Sequence, residues 1–271
     1  MVGLPLAGSE AAARAVAPAW EAPARVRSNP VMAITALARG VGPSLRVEGR
    51  YFADGCTAVG GVDEVGRGAW AGPVSVGIAV LTPGSGRRLP RGVRDSKQLT
   101  WAEREALFEP LARSVASYAV GHATNNECDE LGMTIAQRLA ARRAFEQLEV
   151  LPDMLLLDGR FDFLADKMAE QSGFPPVRMI VRGDSSSKAI AAASVLAKVT
   201  RDRLMARESE HYPWYGFERN RGYPAPAHKM ALATWGCTPF HRKSWAFVEG
   251  LLFRPEAAAG ELEAISCGPA D

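Results

Sequence analysis

Asp63 and Glu64 are neighbours, and Gly66-Arg67-Gly68 follows them after one residue. Together they supply two carboxylates, a guanidinium and a stretch of backbone that glycine lets approach another molecule closely. This is equipment for holding a divalent cation beside a phosphate. On its own an Asp–Glu pair fits a solvated turn better than a metal site, so the cation reading requires further carboxylates. Geometry adds a condition. Successive strand residues point to opposite faces, so Asp63 and Glu64 can serve one site only where their strand bends or ends.

The elements around the pair supply more acids. Residues 44–54 read as a short helix leading into the core, and 57–63 as a first strand ending near Asp63. Residues 74–81 are a β-branched second strand, followed by a basic loop over 83–91. Thr100-Trp101-Ala102-Glu103 is a capping box that opens a helix to about residue 113. A third strand is expected over 115–123. One long amphipathic helix is expected over 128–148, with Ile135, Leu139 and Phe145 on its apolar face. Residues 154–158 form an apolar strand ending in Asp158. Residues 177–181 form another, running into Arg182-Gly183-Asp184. Residues 185–187 cap a helix over 189–208, whose small residues permit close packing on a sheet. Past Pro213 the chain turns to aromatics, basics and short helices, over 227–234 and 244–252.

Asp63 with Glu64, Asp158 and Asp184 thus stand at strand ends, where sites assemble in sheets flanked by helices. Converging carboxylates repel unless cations lie between them. Oxygen ligands without His or Cys select Mg²⁺ or Mn²⁺. Two such ions about 3.5–4 Å apart suit phosphoryl transfer. The alternative is three unrelated loop aspartates.

Composition narrows the classes. The 271 residues carry a net charge of +2 and are 47% hydrophobic, so a sizeable core is available and any nucleic acid must be held by a local patch. Residues 201–243 hold eight Lys/Arg against four Asp/Glu, interleaved with aromatics, which suits a duplex backbone. That count includes Arg201, Arg203, Arg242 and Lys243, although Lys198, Arg201 and Arg203 also fit the solvated face of a helix. Lys97, in Asp95-Ser96-Lys97, fits a phosphate contact or a solvated loop charge. His228 and His241 read as structural or phosphate-adjacent rather than as metal ligands. Gly66-x-Gly68 is not read as a dinucleotide loop, because a strand rather than a helix follows. The four cysteines form no CxxC pair and read as reduced thiols. No apolar run reaches the roughly 20 residues of a membrane span, and no secretory pattern opens the chain. A cytoplasmic protein with no membrane partner is expected.

The chain resembles the bacterial ribonuclease HII family. The resemblance rests on residues 61–68 (Gly-Val-Asp-Glu-Val-Gly-Arg-Gly), Asp95-Ser96-Lys97, Leu157-Asp158-Gly159, Gly183-Asp184-Ser185, residues 191–202 and Gly222-Tyr223-Pro224. It covers roughly residues 46–250, in order. It implies a ribonuclease H-like α/β fold: a mixed five-stranded sheet flanked by helices, with a small helical C-terminal region. It implies cleavage of the RNA strand of RNA–DNA hybrids, and cutting 5′ to ribonucleotides embedded in duplex DNA, to leave 3′-hydroxyl and 5′-phosphate ends. Asp63, Glu64, Asp158 and Asp184 match the family's catalytic and metal-site acids, with Mn²⁺ or Mg²⁺ as cofactor. Gly66, Arg67 and Gly68 match the motif that touches the ribose 2′-hydroxyl and nearby phosphates. Tyr223 matches the tyrosine that packs on the next sugar. Arg182 stands where many relatives have Lys and is expected to keep a phosphate contact, as is Lys97.

The expected organisation is a flexible extension over 1–44, a catalytic domain over 45–212, a helical substrate-binding region over 213–253 and a disordered tail over 254–271. A monomer is expected. A sliding clamp or another repair partner is left open by the sequence. The rival readings are another two-metal nuclease on the same fold and a non-catalytic nucleic-acid-binding module. The Gly-Arg-Gly and Gly-Tyr-Pro motifs oppose the first, and the full set of acids opposes the second. A ribonuclease HIII would need a folded N-terminal domain, for which residues 1–44 are too short and too rich in Ala, Gly and Pro.

Overall fold

A computed structural model describes residues 42–165, 173–246 and 248. Most of the expected N-terminal extension and all of the expected tail lie outside the described residues.

The β-branched runs form strands. Val59–Val65 (β1), Val74–Leu81 (β2), Ser117–Ala123 (β3), Met154–Asp158 (β4) and Val177–Ile180 (β5) make one sheet in the order β3-β2-β1-β4-β5. β1 is antiparallel to β2 and β2 to β3, whereas β4 runs parallel to both β1 and β5. This is the expected mixed five-stranded sheet. β2 is buried along its whole length, as suits an inner strand covered on both faces. At the sheet edge β3 alternates buried with half-buried residues.

Helices cover both faces. On one side Met133–Phe145 (α5) packs Ala136, Ala140, Ala141 and Ala144 against Val62, Val76 and Ile78. On the other, Lys188–His211 (α7) and Trp101–Ser114 (α3) pack against Ala79 and Leu81. The small residues of α7 bring its backbone onto the sheet. A Cβ added at Gly61 would lie 2.0 Å from the carbonyl carbon of Ala189, so β1 and α7 touch main chain to main chain. This contact fixes where the end of β1 lies relative to the start of α7.

Four expectations are corrected. β1 runs on to Val65, so Asp63 lies inside the strand and not at its end. The single helix over 128–148 is two helices, Asn125–Leu131 (α4) and α5. Thr124 and Glu127 form a capping box that starts the first, and Gly132, at φ 75°, breaks the path between them. The buried stripe of α5 is alanine, and Ile135 is 48% exposed. Within the basic loop, Pro83–Arg87 (α2) is a short helix, because Thr82 and Ser85 cap each other and Pro83 is pre-set for a first turn.

The remaining helices are Arg46–Ala53 (α1), Gly183–Ser186 (α6), Phe217–Asn220 (α8) and Pro226–Trp235 (α9). Tyr215, Phe217 and Leu232 form an aromatic-rich cluster with Ala71 and with Met205 of α7. The expected helix over 244–252 falls largely outside the described residues. Among the described residues, no helix is long and apolar enough to cross a membrane.

Candidate active site

The four acids meet at the carboxyl ends of β1 and β4. Gly61 faces α7, so Asp63, two residues on, faces it too, and Glu64 points to the α5 side with Val62. Register pairs Val62 with Leu157, which sets Asp158 beside Asp63. Asp184 lies in the first turn of α6, four residues beyond the end of β5. The Gly183 N–H donates to Asp158 Oδ1 at 2.7 Å, tying α6 to the end of β4.

At this separation the carboxylates act on one another. Burial pushes the Asp63 carboxyl well above the usual carboxylate range; a hydrogen bond from Ser194 opposes this, and the charges of Glu64 and Asp158 add to it. Glu64 is raised by burial, against Arg67 and with Asp158. Asp184 is raised by burial, Asp158 and Asp95. Asp158 thus raises the other three. Lys97 reaches across from its loop, with Nζ 4.0 Å from Asp184 Oδ2. Its partial burial works against its charge, but Asp63, Asp95, Asp184 and Asp158 together raise its pKa.

Four hard-oxygen donors that repel one another fit a hard divalent cation. Among the described residues, no three His, Cys, Asp or Glu side chains form a ready-made cage. Arg182 is exposed, at φ 54°, and caps α6 without a side-chain bond. The structure does not bring it into the carboxylate cluster by any described contact.

Beyond β1, Gly66 turns at φ 85°. A Cβ there would lie 2.2 Å from Arg201 Nε, so both the turn and the packing require glycine. The Gly66 N–H donates to the Tyr223 hydroxyl at 3.1 Å. At Gly68 an added Cβ would meet only the Tyr223 ring edge, at 4.0 Å. The Gly222 carbonyl accepts from the N–H groups of Trp70 and Ala71. The Gly-Arg-Gly loop and the Gly-Tyr-Pro turn, 157 residues apart, are therefore one unit.

Behind this unit sit two guanidiniums that sequence reasoning placed on the surface. Arg201 and Arg242 are both 0% exposed. Arg201 donates from Nε to Pro73 O at 2.9 Å, from Nη1 to Arg221 O at 2.9 Å and from Nη2 to Ala71 O at 3.2 Å. Arg242 donates from Nη1 to Arg67 O at 2.9 Å, from Nη2 to Gly66 O at 2.7 Å and to Gly72 O from both Nε and Nη2. Burial lowers the Arg201 pKa to about 10, which still leaves it cationic at neutral pH. Neither residue can face a duplex. The signal for Arg201 was legible: Ala193, Ala197, Arg201 and Met205 recur every fourth residue on the buried face of α7.

Of the two readings the sequence left for His228 and His241, structural or phosphate-adjacent, their burial fits the structural one. Both are buried, and their Nε2 atoms lie 3.0 Å apart. His228 Nδ1 lies 2.9 Å from the Tyr223 carbonyl, which only accepts, so Nδ1 carries the proton. His241 Nε2 must then donate to His228, and His241 Nδ1 accepts from the Thr238 N–H at 3.0 Å. Two further residues were missed. Glu48, buried in α1, accepts from Ser187 Oγ at 2.6 Å and from the Ala189 N–H at 2.8 Å, capping α7 from outside. Asp202 gathers Lys198 at 2.5 Å, Arg221 at 3.7 Å and Arg104 at 3.9 Å. Lys198 and Arg221 are thus engaged inside the fold.

Known proteins resemble this chain in sequence and fold. The sequence model of the ribonuclease HII family matches residues 60–248. The chain is 50% identical over 197 residues to a ribonuclease HII of Streptomyces avermitilis, covering 73% of this chain and 80% of that protein. Among solved structures, the ribonuclease H2 of Pyrococcus horikoshii OT3 superposes with a TM-score of 0.58 at 30% identity, over 72% of this chain and 96% of that one. The RNase HII of Archaeoglobus fulgidus, solved as a complex with PCNA, has a TM-score of 0.55 at 25% identity, over 69% of this chain and 94% of that one.

Proposed function

The chain belongs to the ribonuclease HII family, and from that premise we propose that it cuts the RNA strand of RNA–DNA hybrids and cuts duplex DNA 5′ to an embedded ribonucleotide, leaving 3′-hydroxyl and 5′-phosphate ends. The observation that carries this reading is the coupling of Asp158 to Asp63, Glu64 and Asp184 beside a glycine loop tied to Tyr223.

Asp63, Glu64, Asp158 and Asp184 would hold Mg²⁺ or Mn²⁺. When bound, two such ions lower the pKa of water and neutralise charge on the phosphate. The chain does the rest. Lys97, drawn towards Asp184, offers positive charge to the phosphate next to the acids. Arg67 and the Gly66–Gly68 backbone meet the ribose, whose 2′-hydroxyl is the only local mark distinguishing it from deoxyribose. Tyr223 lies against the following sugar, where a second 2′-hydroxyl would crowd it. Arg182, outside these contacts, is assigned a peripheral phosphate. A monomer with nucleic acid as its main partner fits this scheme. The archaeal PCNA complex makes a sliding clamp the protein partner class to test.

The experiment is cleavage of a long RNA–DNA hybrid with and without added Mn²⁺. Metal-dependent loss of the RNA strand alone supports the reading. Cleavage of the DNA strand, or binding without cleavage in every metal, favours the rival nuclease or the non-catalytic module.

A further inference from the structure

We propose that Arg242 is a positioning residue for ribose recognition: its buried guanidinium turns the Gly66 and Arg67 carbonyls inward and thereby aims the N–H groups of Arg67 and Gly68 at the substrate. The inference rests on the assignment of this loop to the ribose, and it adds what sets the loop's polarity.

The argument is geometric. Arg242 Nη2 donates to Gly66 O and Nη1 to Arg67 O, at 2.7 and 2.9 Å. Among the described residues no peptide bond is cis, and in a trans peptide the C=O and the following N–H point in opposite directions. The Gly66 carbonyl shares its peptide with the Arg67 N–H, and the Arg67 carbonyl with the Gly68 N–H. Both N–H groups must therefore point away from the buried guanidinium. The loop's other donors are engaged: Gly66 N–H with the Tyr223 hydroxyl, Ala69 N–H with Gly66 O, and Trp70 N–H with Gly222 O. Those of Arg67 and Gly68 have no hydrogen-bond partner among the described residues. Two successive free N–H groups form a concave donor pair suited to an oxygen. Arg67 and Gly68 are both exposed, which gives access to it.

The guanidinium suits this task better than any other side chain. It presents five donors in a fixed plane, and Arg242 uses them on the carbonyls of three residues, Gly66, Arg67 and Gly72. Every described hydrogen bond of this guanidinium goes to a backbone carbonyl. Its charge lies behind the loop and adds to the attraction for an oxygen in front. Lysine at the same place keeps the charge and loses the fork.

The test is the ratio of two dissociation constants, for all-DNA duplex and for the same duplex carrying one ribonucleotide. Both are measured in Ca²⁺ on the intact-substrate fraction, with the full chain. In the wild type the ribonucleotide duplex should bind tighter, and Arg242→Lys should shrink that preference about three- to tenfold, the worth of a misdirected hydrogen bond. All-DNA affinity should stay within about twofold, which a general loss of folding would not spare. A folded Arg242→Lys protein with the wild-type ratio overturns the proposal. If the variant does not fold, amide NMR of the wild type decides. The Arg67 and Gly68 resonances must shift on adding ribonucleotide duplex and not on adding all-DNA duplex; equal or absent shifts overturn it. The enzyme reading fails separately, if the wild type cuts no hybrid in Mn²⁺.

Discussion

Among single residues, Asp63 and Asp158 have the most to lose. Asp63→Asn or Asp158→Asn should lower cleavage about 10³-fold or more, because each removes a negative ligand from a shared cation site. Either variant cutting near the wild-type rate would remove these residues from the site. Asp184→Asn should be milder, as Asp184 stands on the short helix α6 beyond β5 and not on a strand of the sheet. Asp63 also carries a stability signature. Burial raises its pKa in the folded chain. Its contribution to stability is therefore complete below the unfolded carboxylate value and is lost as pH rises through the folded one. In metal-free buffer at neutral pH, Asp63→Asn should melt about 2–4 °C higher than wild type, and the gap should close on acidification. A second residue-scale prediction concerns Tyr223. Tyr223→Ala should slow cutting at a single ribonucleotide far more than cutting of a long hybrid, and Tyr223→Phe, which keeps the ring but not the acceptor for Gly66, should be intermediate. Equal loss on both substrates would reduce Tyr223 to a packing residue. All four acids were legible in the sequence because carboxylates after apolar runs are conspicuous. Arg242 was not, since one arginine next to Lys243 looks like any solvated charge until its carbonyl partners, up to 176 residues away, are known.

At the scale of elements, the site depends on how α7 and the Gly222-Tyr223 turn are held. Glu48 of α1 caps α7 beside Ser187, three residues beyond Asp184. Glu48→Ala should cost about 2–3 kcal/mol, the range for hydrogen bonds to a charged group plus an orphaned donor. A melting curve unchanged by the substitution would contradict this bracing role. The His228–His241 pair ends on the Tyr223 carbonyl and works only when both rings are neutral. Burial lowers both pKa values, His241 to about 3. The pair's stability is thus present above the ordinary value of 6.5 and is lost as pH falls towards about 3. Acid unfolding of the wild type should begin below about pH 6.5 and be shallower in His228→Gln, read by melting temperature across that window. Capping chemistry made α3 readable from Thr100 and Glu103. It failed at 128–148 because Gly132 ends one helix and starts the next, a role that periodicity does not reveal.

For the whole molecule, the local charge excess that the sequence assigned to duplex binding must be redistributed. Arg201 and Arg242 are interior, and Lys198 and Arg221 are paired with Asp202. Arg203, Arg207, Arg219, Lys229 and Lys243 remain exposed, Arg203 in an ion pair with Glu105. Hybrid binding should weaken with salt at a log–log slope of about −0.9 per phosphate neutralised. Removing Lys229 and Lys243 should flatten that slope without moving the cut, and an unchanged slope would place the duplex on another face. The strand segments were legible from apolar patterning and the mixed five-stranded sheet from the family resemblance, whereas the strand order and the burial of Arg242 needed the folded arrangement to be seen. The central claim, that this chain recognises one ribose in DNA and cuts beside it, is tested most directly on duplex DNA carrying a single ribonucleotide. The wild-type protein should cut that strand once, 5′ to the ribonucleotide, in Mg²⁺ or Mn²⁺ and not in EDTA, leaving 3′-hydroxyl and 5′-phosphate ends. An intact strand in both metals, or equal cutting of the all-DNA duplex, would contradict it.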